Sequence, residues 1–225
     1  MLLLRLAAGD VRERTRRYGF IITLLFMVYG AYLFVPPNHA AYATLQIGEH
    51  RGLYNSAWIG ALVAIMSTIF MTLAGFFLVK NTITRDEQTR VGQILAASRL
   101  TTVQYVASKG LSNFLVLASM VAVLAVGAGA MQLLRGEELH LEAWNLLAPF
   151  LLITLPSMAI VAALAVLFES VRFLRGGFGN VVFFFLWISL MGSDASRTTD
   201  AFGIQPVVSG MVDATHQAFP ESDAK

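Results

Sequence analysis

The sequence predicts an all-α, polytopic membrane protein with about five transmembrane helices and a cytoplasmic N-terminus, and three observations carry that reading. Of its 225 residues, 56% are hydrophobic and only 13% are charged, against roughly 25% charged in a soluble domain. The apolar residues fall in blocks long enough to cross a hydrocarbon layer about 30 Å thick, which takes roughly 20 helical residues. The lysines and arginines gather at the ends of those blocks rather than along one polar face.

Residues 1–17 form the first element, a short cytoplasmic helix in the plane of the membrane surface. Asp10 and Glu13 are placed to cap it, and Arg12, Arg14, Arg16 and Arg17 to rest on anionic headgroups. The first span follows at 18–35. Arg16-Arg17-Tyr18-Gly19-Phe20 loosely resembles a twin-arginine signal, and Ala41-Tyr42-Ala43 a cleavage site. The apolar stretch exceeds the usual signal core of about 7–15 residues and further spans follow, which favours a retained signal-anchor.

The second, third, fourth and fifth spans are read at 56–79, 110–134, 144–168 and 177–191. Small residues Gly127, Ala128, Gly129 and Ala130 in the third permit close helix contact. Pro156 is expected to kink the fourth. The fifth, at about 15 residues, needs a thin bilayer or a shallow start. Its entry, Gly176-Gly177-Phe178-Gly179, reads as a turn before a helix.

Twelve basic residues flank one set of ends: Arg5, Arg12, Arg14, Arg16 and Arg17, then Lys80, Arg85, Arg90, Arg99 and Lys109, then Arg172 and Arg175. Only Arg51, Arg135, Arg197 and Lys225 belong to the other set. The positive-inside rule therefore places the N-terminus, the second connection and the fourth connection in the cytoplasm. The tail, 192–225, is expected outside, and Ile204 to Val212 within it is too short and interrupted for a sixth span.

Several functions find no support in these residues. A net charge of +2 and a pI near 9.1 do not indicate nucleic-acid binding, because the basic residues are not on one polar face. There is no cysteine, and the four histidines (His39, His50, His140, His216) are far apart, so no metal site is expected. No Walker A, H-E-x-x-H or G-x-S-x-G pattern occurs, so neither catalytic residues nor a cofactor is assigned. The spans carry only mild polar groups, among them Thr23, Ser67, Thr68, Thr72, Ser112, Asn113, Ser119, Gln132, Thr154, Ser157 and Asn180. With no ionisable group at a core position, ion coupling has no chemistry there. Any energy for transport enters from outside the spans.

The second connection, 80–109, is the most distinctive segment. Thr84 followed by Glu87 matches a capping box, and Asp86 and Glu87 suit a helix N-terminus. Val91, Ile94 and Leu95 form a short apolar stripe opposite Asp86, Arg90 and Gln93, while Gly92 permits close backbone approach. An amphipathic helix over 84–98 is predicted, either lying on the membrane or docking a cytoplasmic partner.

The run Arg85-Asp86-Glu87-Gln88-Thr89-Arg90-Val91-Gly92-Gln93-Ile94-Leu95-Ala96-Ala97-Ser98, followed by Tyr105-Val106-Ala107-Ser108-Lys109-Gly110, resembles permeases of ABC type-2 exporters. Arg172 to Asn180 is similar to the entry of the fifth span in some large bacterial members. The resemblance implies that the 84–98 helix is a coupling helix seated in a cleft of a separate ATP-binding subunit. Arg85, Asp86, Glu87, Gln88 and Arg90 would supply the polar contacts, and Val91, Gly92, Ile94 and Leu95 would seat the helix. The N-terminal arm would be the interfacial connecting helix. The chain itself would not be an enzyme, and it would work in a bacterial-type inner membrane beside a homodimer partner or a second permease half. Family members usually have six spans. The five read here imply the N-terminal part of a longer permease, truncated or completed by another polypeptide. The reading from a different class is a non-transporting membrane scaffold that recruits a partner through the same helix.

Overall fold

The computed structural model describes residues 2–37, 40, 42–47, 50–89, 100–192 and 200–218. Among them the chain is helical, with no strand beyond an isolated antiparallel bridge between Ile47 and His50. In order the helices are α1 (Leu2–Thr15), α2 (Tyr18–Phe34), α3 (Ser56–Val79), α4 (Thr82–Gln88), α5 (Thr102–Arg135), α6 (Ala143–Pro149), α7 (Leu155–Ser170), α8 (Gly177–Gly192) and α9 (Gln205–Ala218). A π-helical stretch, Phe150–Thr154, joins α6 to α7, and a 3-10 turn, Arg172–Leu174, leads towards α8.

Three helical runs are long and apolar enough to cross a membrane: Ser56–Gln88, Thr102–Arg135 and Ala143–Ser170. A fourth is added when α1 and α2, bent by 78° at Arg16 and Arg17, count as one. α8 is apolar but short. At 1.5 Å per residue, the 17 residues of α2 rise about 25 Å and the 16 of α8 about 24 Å, short of a hydrocarbon core of about 30 Å. Of the five expected spans, three meet the length on their own, and a fourth does when α1 and α2 are taken together.

Two local expectations change. α5 begins at Thr102, well before the expected 110, because a true capping box stands there. Thr101 Oγ1 accepts from Gln104 N–H (3.3 Å) and Gln104 Oε1 accepts from Thr101 N–H (3.2 Å). Hydropathy reads only the apolar part of that helix and misses its polar first turns. The disturbance expected at Pro156 takes the form of the π-helical stretch between Pro149 and Pro156. A proline removes one backbone donor and crowds the carbonyl four residues earlier, and a widened turn relieves both.

The chain divides into two compact units. The first comprises Met1–Thr23, Phe70–Ser119 and Met158–Gly192, and the second Leu24–Ile69, Met120–Ser157 and Ser193–Lys225. The three segments that the charge count groups together, the N-terminal arm and the second and fourth connections, all belong to the first.

The core of the first unit is aromatic. Phe76 stacks on Phe183 with ring centroids 3.5 Å apart, and Phe168 meets Phe76 edge-on at 5.3 Å. Trp187 donates its indole N–H to Thr72 Oγ1 (2.9 Å).

The second unit is joined by close approach and neutral hydrogen bonds. A Cβ at Gly60 would lie 2.6 Å from the Leu146 carbonyl oxygen, and one at Gly127 2.7 Å from Ala31 Cβ. The small-residue stretch in α5 therefore does bring helices together. Gln132 is fully buried. It accepts from Ser56 Oγ (3.0 Å) and donates to the carbonyls of Glu138 and His140 (3.1 Å each). Thr68 Oγ1 lies 2.7 Å from Ala64 O and 3.0 Å from Thr154 Oγ1. At the loop ends, Arg51 and Glu137 form a bidentate pair (2.6 and 3.0 Å), and Glu137 also accepts from Tyr54 N–H.

Candidate functional site

The site is the start of the second connection and what holds it. α3 ends at Val79, and the chain turns through Asn81 in the left-handed region (φ 74°), a conformation that asparagine tolerates better than most residues. α4 then begins with its first amides pointing away from any intrahelical acceptor, as every helix does. Glu169, at the end of α7 and fully buried, accepts all of them. Its carboxylate takes the N–H of Thr82 (3.0 Å), Ile83 (2.6 Å) and Thr84 (3.3 Å). A negative group at a helix N-terminus is stabilised by the dipole as well as by these bonds.

The capping box expected at Thr84 and Glu87 is therefore not formed. α4 starts at Thr82, two residues earlier, with no side-chain cap from its own sequence. Glu87 turns instead to Arg175 Nη1 (2.8 and 3.0 Å). Thr84 Oγ1 is buried without a hydrogen-bond partner among the described residues.

The opposite flank of α4 is tied by ions. Lys109 Nζ, on α5, bridges Asp86 (2.7 Å) and Asp10 of α1 (3.1 Å), all three largely buried. Asp10 also accepts from Ser112 Oγ (2.8 Å) and pairs with Arg14 (3.3 Å) and Arg85 (3.4 Å). Tyr105 donates its hydroxyl to Asp86 (2.9 Å), and Arg14 donates to Thr82 Oγ1 (2.6 Å). Burial alone would raise the Asp10 carboxyl. The cations of Lys109 and Arg14, with the Ser112 hydroxyl, override it and hold the group below its ordinary value. Asp10 therefore stays ionised at neutral pH, which the pairing requires. Lys80, at the far end of the same turn, is buried and donates to the carbonyls of Leu174 and Gly176 and to Asn180 Oδ1 (2.6 Å).

These contacts sort the residues expected from sequence. Arg85, Asp86 and Glu87 come together with Arg14, but Asp86, expected to face a partner, is buried on Lys109. Gln88 is exposed. Arg90, Val91, Gly92, Ile94 and Leu95 lie outside the described residues. Of the four arginines expected on headgroups, Arg12, Arg16 and Arg17 are exposed, whereas Arg14 points inward and is 8% exposed, drawn in by Asp10 and Thr82. Asp10 and Glu13 do not cap α1, which begins at Leu2. No ionisable group is expected at a core position of the spans, the fourth being read at 144–168; Glu169, one residue past that bound, lies inside the longer Ala143–Ser170 run and is fully buried.

Glu169, Lys109 and Asp10 were missed as site residues. One signal was present for Glu169, a lone carboxylate closing an otherwise apolar block. Nothing in the sequence linked it to an amide 87 residues away. Among the described residues no group of three histidine or carboxylate side chains is placed to hold a metal ion.

The fold and this buried polar joint define the class: an α-helical multi-pass membrane protein. No protein-family model matches the chain, and no curated protein or solved structure matches it either.

Proposed function

We propose that this chain is the membrane-spanning permease subunit of an ATP-driven ABC exporter, with its N-terminus in the cytoplasm of a bacterial-type inner membrane. ATP hydrolysis then resides on a partner subunit. The observation that carries the reading is the way α4 is mounted. A seven-residue helix at the mouth of the second connection is tied to α1, α5, α7 and the turn before α8 by charge-assisted bonds, most of them buried. A surface helix without a task gains nothing from so many desolvated charges, which cost several kcal/mol each to bury unless paired. A coupling lever does gain, because a push on residues 84–98 then moves the helices behind it instead of bending a loop. The resemblance of 85–98 and 105–110 to type-2 permeases points the same way. Among the described residues Glu87, exposed though paired with Arg175, and Gln88 are the outward polar groups of α4; Arg90 and the predicted stripe of Val91, Ile94 and Leu95 lie beyond the described residues.

The test is a mild-detergent pull-down of the chain from its native membranes. An ATP-binding subunit in the eluate, lost in Leu95→Asp while the chain stays in the membrane, is the expected result. Unchanged association in Leu95→Asp removes 84–98 as the main contact. A captured partner without ATPase activity, in the presence of any completing permease half, establishes the scaffold reading instead.

A further inference from the structure

The first unit contains a cavity of about 830 Å³ in the angle between α1 and α2, closed by the α3–α4 turn. That volume is within the range of small-ligand sites, about 300–1,000 Å³. Its lining includes four cationic side chains, Arg14, Arg17, Lys80 and Arg85, and no acidic one. The rest of the wall is apolar or neutral, with Phe20, Leu78 and Val116 beside Gly19 and Thr23. Nothing lies within 4 Å of a Cβ built on Gly19, so the wall is open there. Two lining residues hold buried polar atoms without a hydrogen-bond partner among the described residues, Nε of Arg14 and Oγ1 of Thr84.

The four cations differ in what they have left to offer. Arg14 and Lys80 are buried and spoken for by Asp10, Thr82 and neutral oxygens. Arg17 and Arg85 are more exposed and share the carboxylate of Glu13 at the rim, Arg85 also pairing with Asp10 (3.4 Å). Glu13 places Oε1 2.6 Å from Arg17 Nη2 and Oε2 3.5 Å from Arg85 Nη2. A single oxyanion spread between two guanidiniums is the arrangement that a lipid phosphodiester would take, its two non-bridging oxygens sharing one negative charge as those of the carboxylate do. Just beyond the rim on α2, Tyr18, Ile21 and Ile22 are exposed, an apolar surface suited to acyl chains.

We propose that this cavity binds the headgroup of an anionic phospholipid, its phosphate held by Arg17 and Arg85 in place of Glu13 and its chains lying along the start of α2. Glu13 is then an internal competitor that any incoming phosphate must displace, and the surrounding cations of Arg14 and Lys80 disfavour a headgroup that carries its own ammonium. The proposal rests on α1 lying at the membrane surface and is independent of any ATPase partner.

The experiment is native mass spectrometry of the purified full chain in detergent, titrated with phosphatidylglycerol, phosphatidylcholine or glycerol 3-phosphate. Saturable binding of phosphatidylglycerol with one preferred site, at least about tenfold tighter than phosphatidylcholine, is expected. Arg17→Ala should weaken it about tenfold and Glu13→Gln should tighten it. Arg12→Ala, which removes an exposed charge from the same arm but does not line the cavity, should leave it unchanged. Equal losses in Arg12→Ala and Arg17→Ala would reduce the effect to diffuse surface charge and overturn the site. Glycerol 3-phosphate binding as tightly as the lipid would overturn the lipid assignment. Phosphatidylcholine binding as tightly as phosphatidylglycerol would overturn the role of charge.

Discussion

In the first unit the polar side chains that join separate helices are chiefly ions: Asp10, Arg14, Arg85, Asp86, Lys109 and Glu169. In the second they are chiefly neutral: Ser56, Gln132, Thr68 and Thr154. Both units must satisfy buried polar groups, yet the consequences of failure differ. A neutral dipole that loses its partner strands one donor or acceptor, at about 1–3 kcal/mol. An ion that loses its partner strands a charge, and the cost rises to about 3–5 kcal/mol. Charges thus make the first unit the less tolerant of partial disruption.

Four measurements can break or sharpen that contrast. The largest effect is expected for Lys109→Met, which leaves Asp10 and Asp86 without their shared cation and should cost about 3–5 kcal/mol in detergent unfolding. Adding Asp86→Asn should recover part of the loss, since the pair is coupled. A Lys109→Met variant as stable as the parent would mean that the charges do not hold the unit together.

Next comes Glu169→Gln, expected to cost about 3 kcal/mol, because a neutral amide replaces a carboxylate that serves three amides. Hydrogen exchange supplies the specific readout. The amides of Thr82, Ile83 and Thr84 should lose protection while those of the α3 interior keep theirs.

In the second unit, Gln132→Leu should cost about 2 kcal/mol by stranding Ser56 and the Glu138 and His140 carbonyls. A loss as large as that of Lys109→Met would erase the distinction between the units.

The smallest effect belongs to the Arg51–Glu137 pair, worth about 1 kcal/mol or less. Hydrogen bonds from Arg51 and then from Tyr54 N–H hold the Glu137 carboxyl below its ordinary value. Its contribution is therefore present above the unfolded pKa of about 4.3 and fades as pH falls through the lower folded value. Arg51→Met should flatten that stretch of the stability profile and leave it unchanged at neutral pH apart from a constant offset.

How much of this was legible depended on how far each interaction reaches along the chain. The limits of α3 agree with the predicted 56–79 span and those of α2 and α8 with 18–35 and 177–191 to within a residue, because a polar residue or turn bounds each apolar block. Capping was half legible. Thr84–Glu87 and Thr101–Gln104 show the same four-residue pattern, and only the second forms. At the first, a carboxylate from another helix that takes three amides outcompetes the local hydroxyl, and no local pattern can announce that. The arginine cluster of the arm reads as uniform, yet Arg16 and Arg17 at the break between α1 and α2 are exposed while Arg14, in the last turn of α1, is buried on Thr82, 68 residues away. Long-range ion pairs need two segments to be read together, and one sequence offers no means of matching them.

The cap on α4 also sets an order of events during synthesis. Thr82, Ile83 and Thr84 emerge from the ribosome and enter the membrane region long before Glu169, which follows them by 85 to 87 residues. Until α7 is complete, the first turn of α4 has no acceptor for its amides, and the connection it opens cannot take its final form.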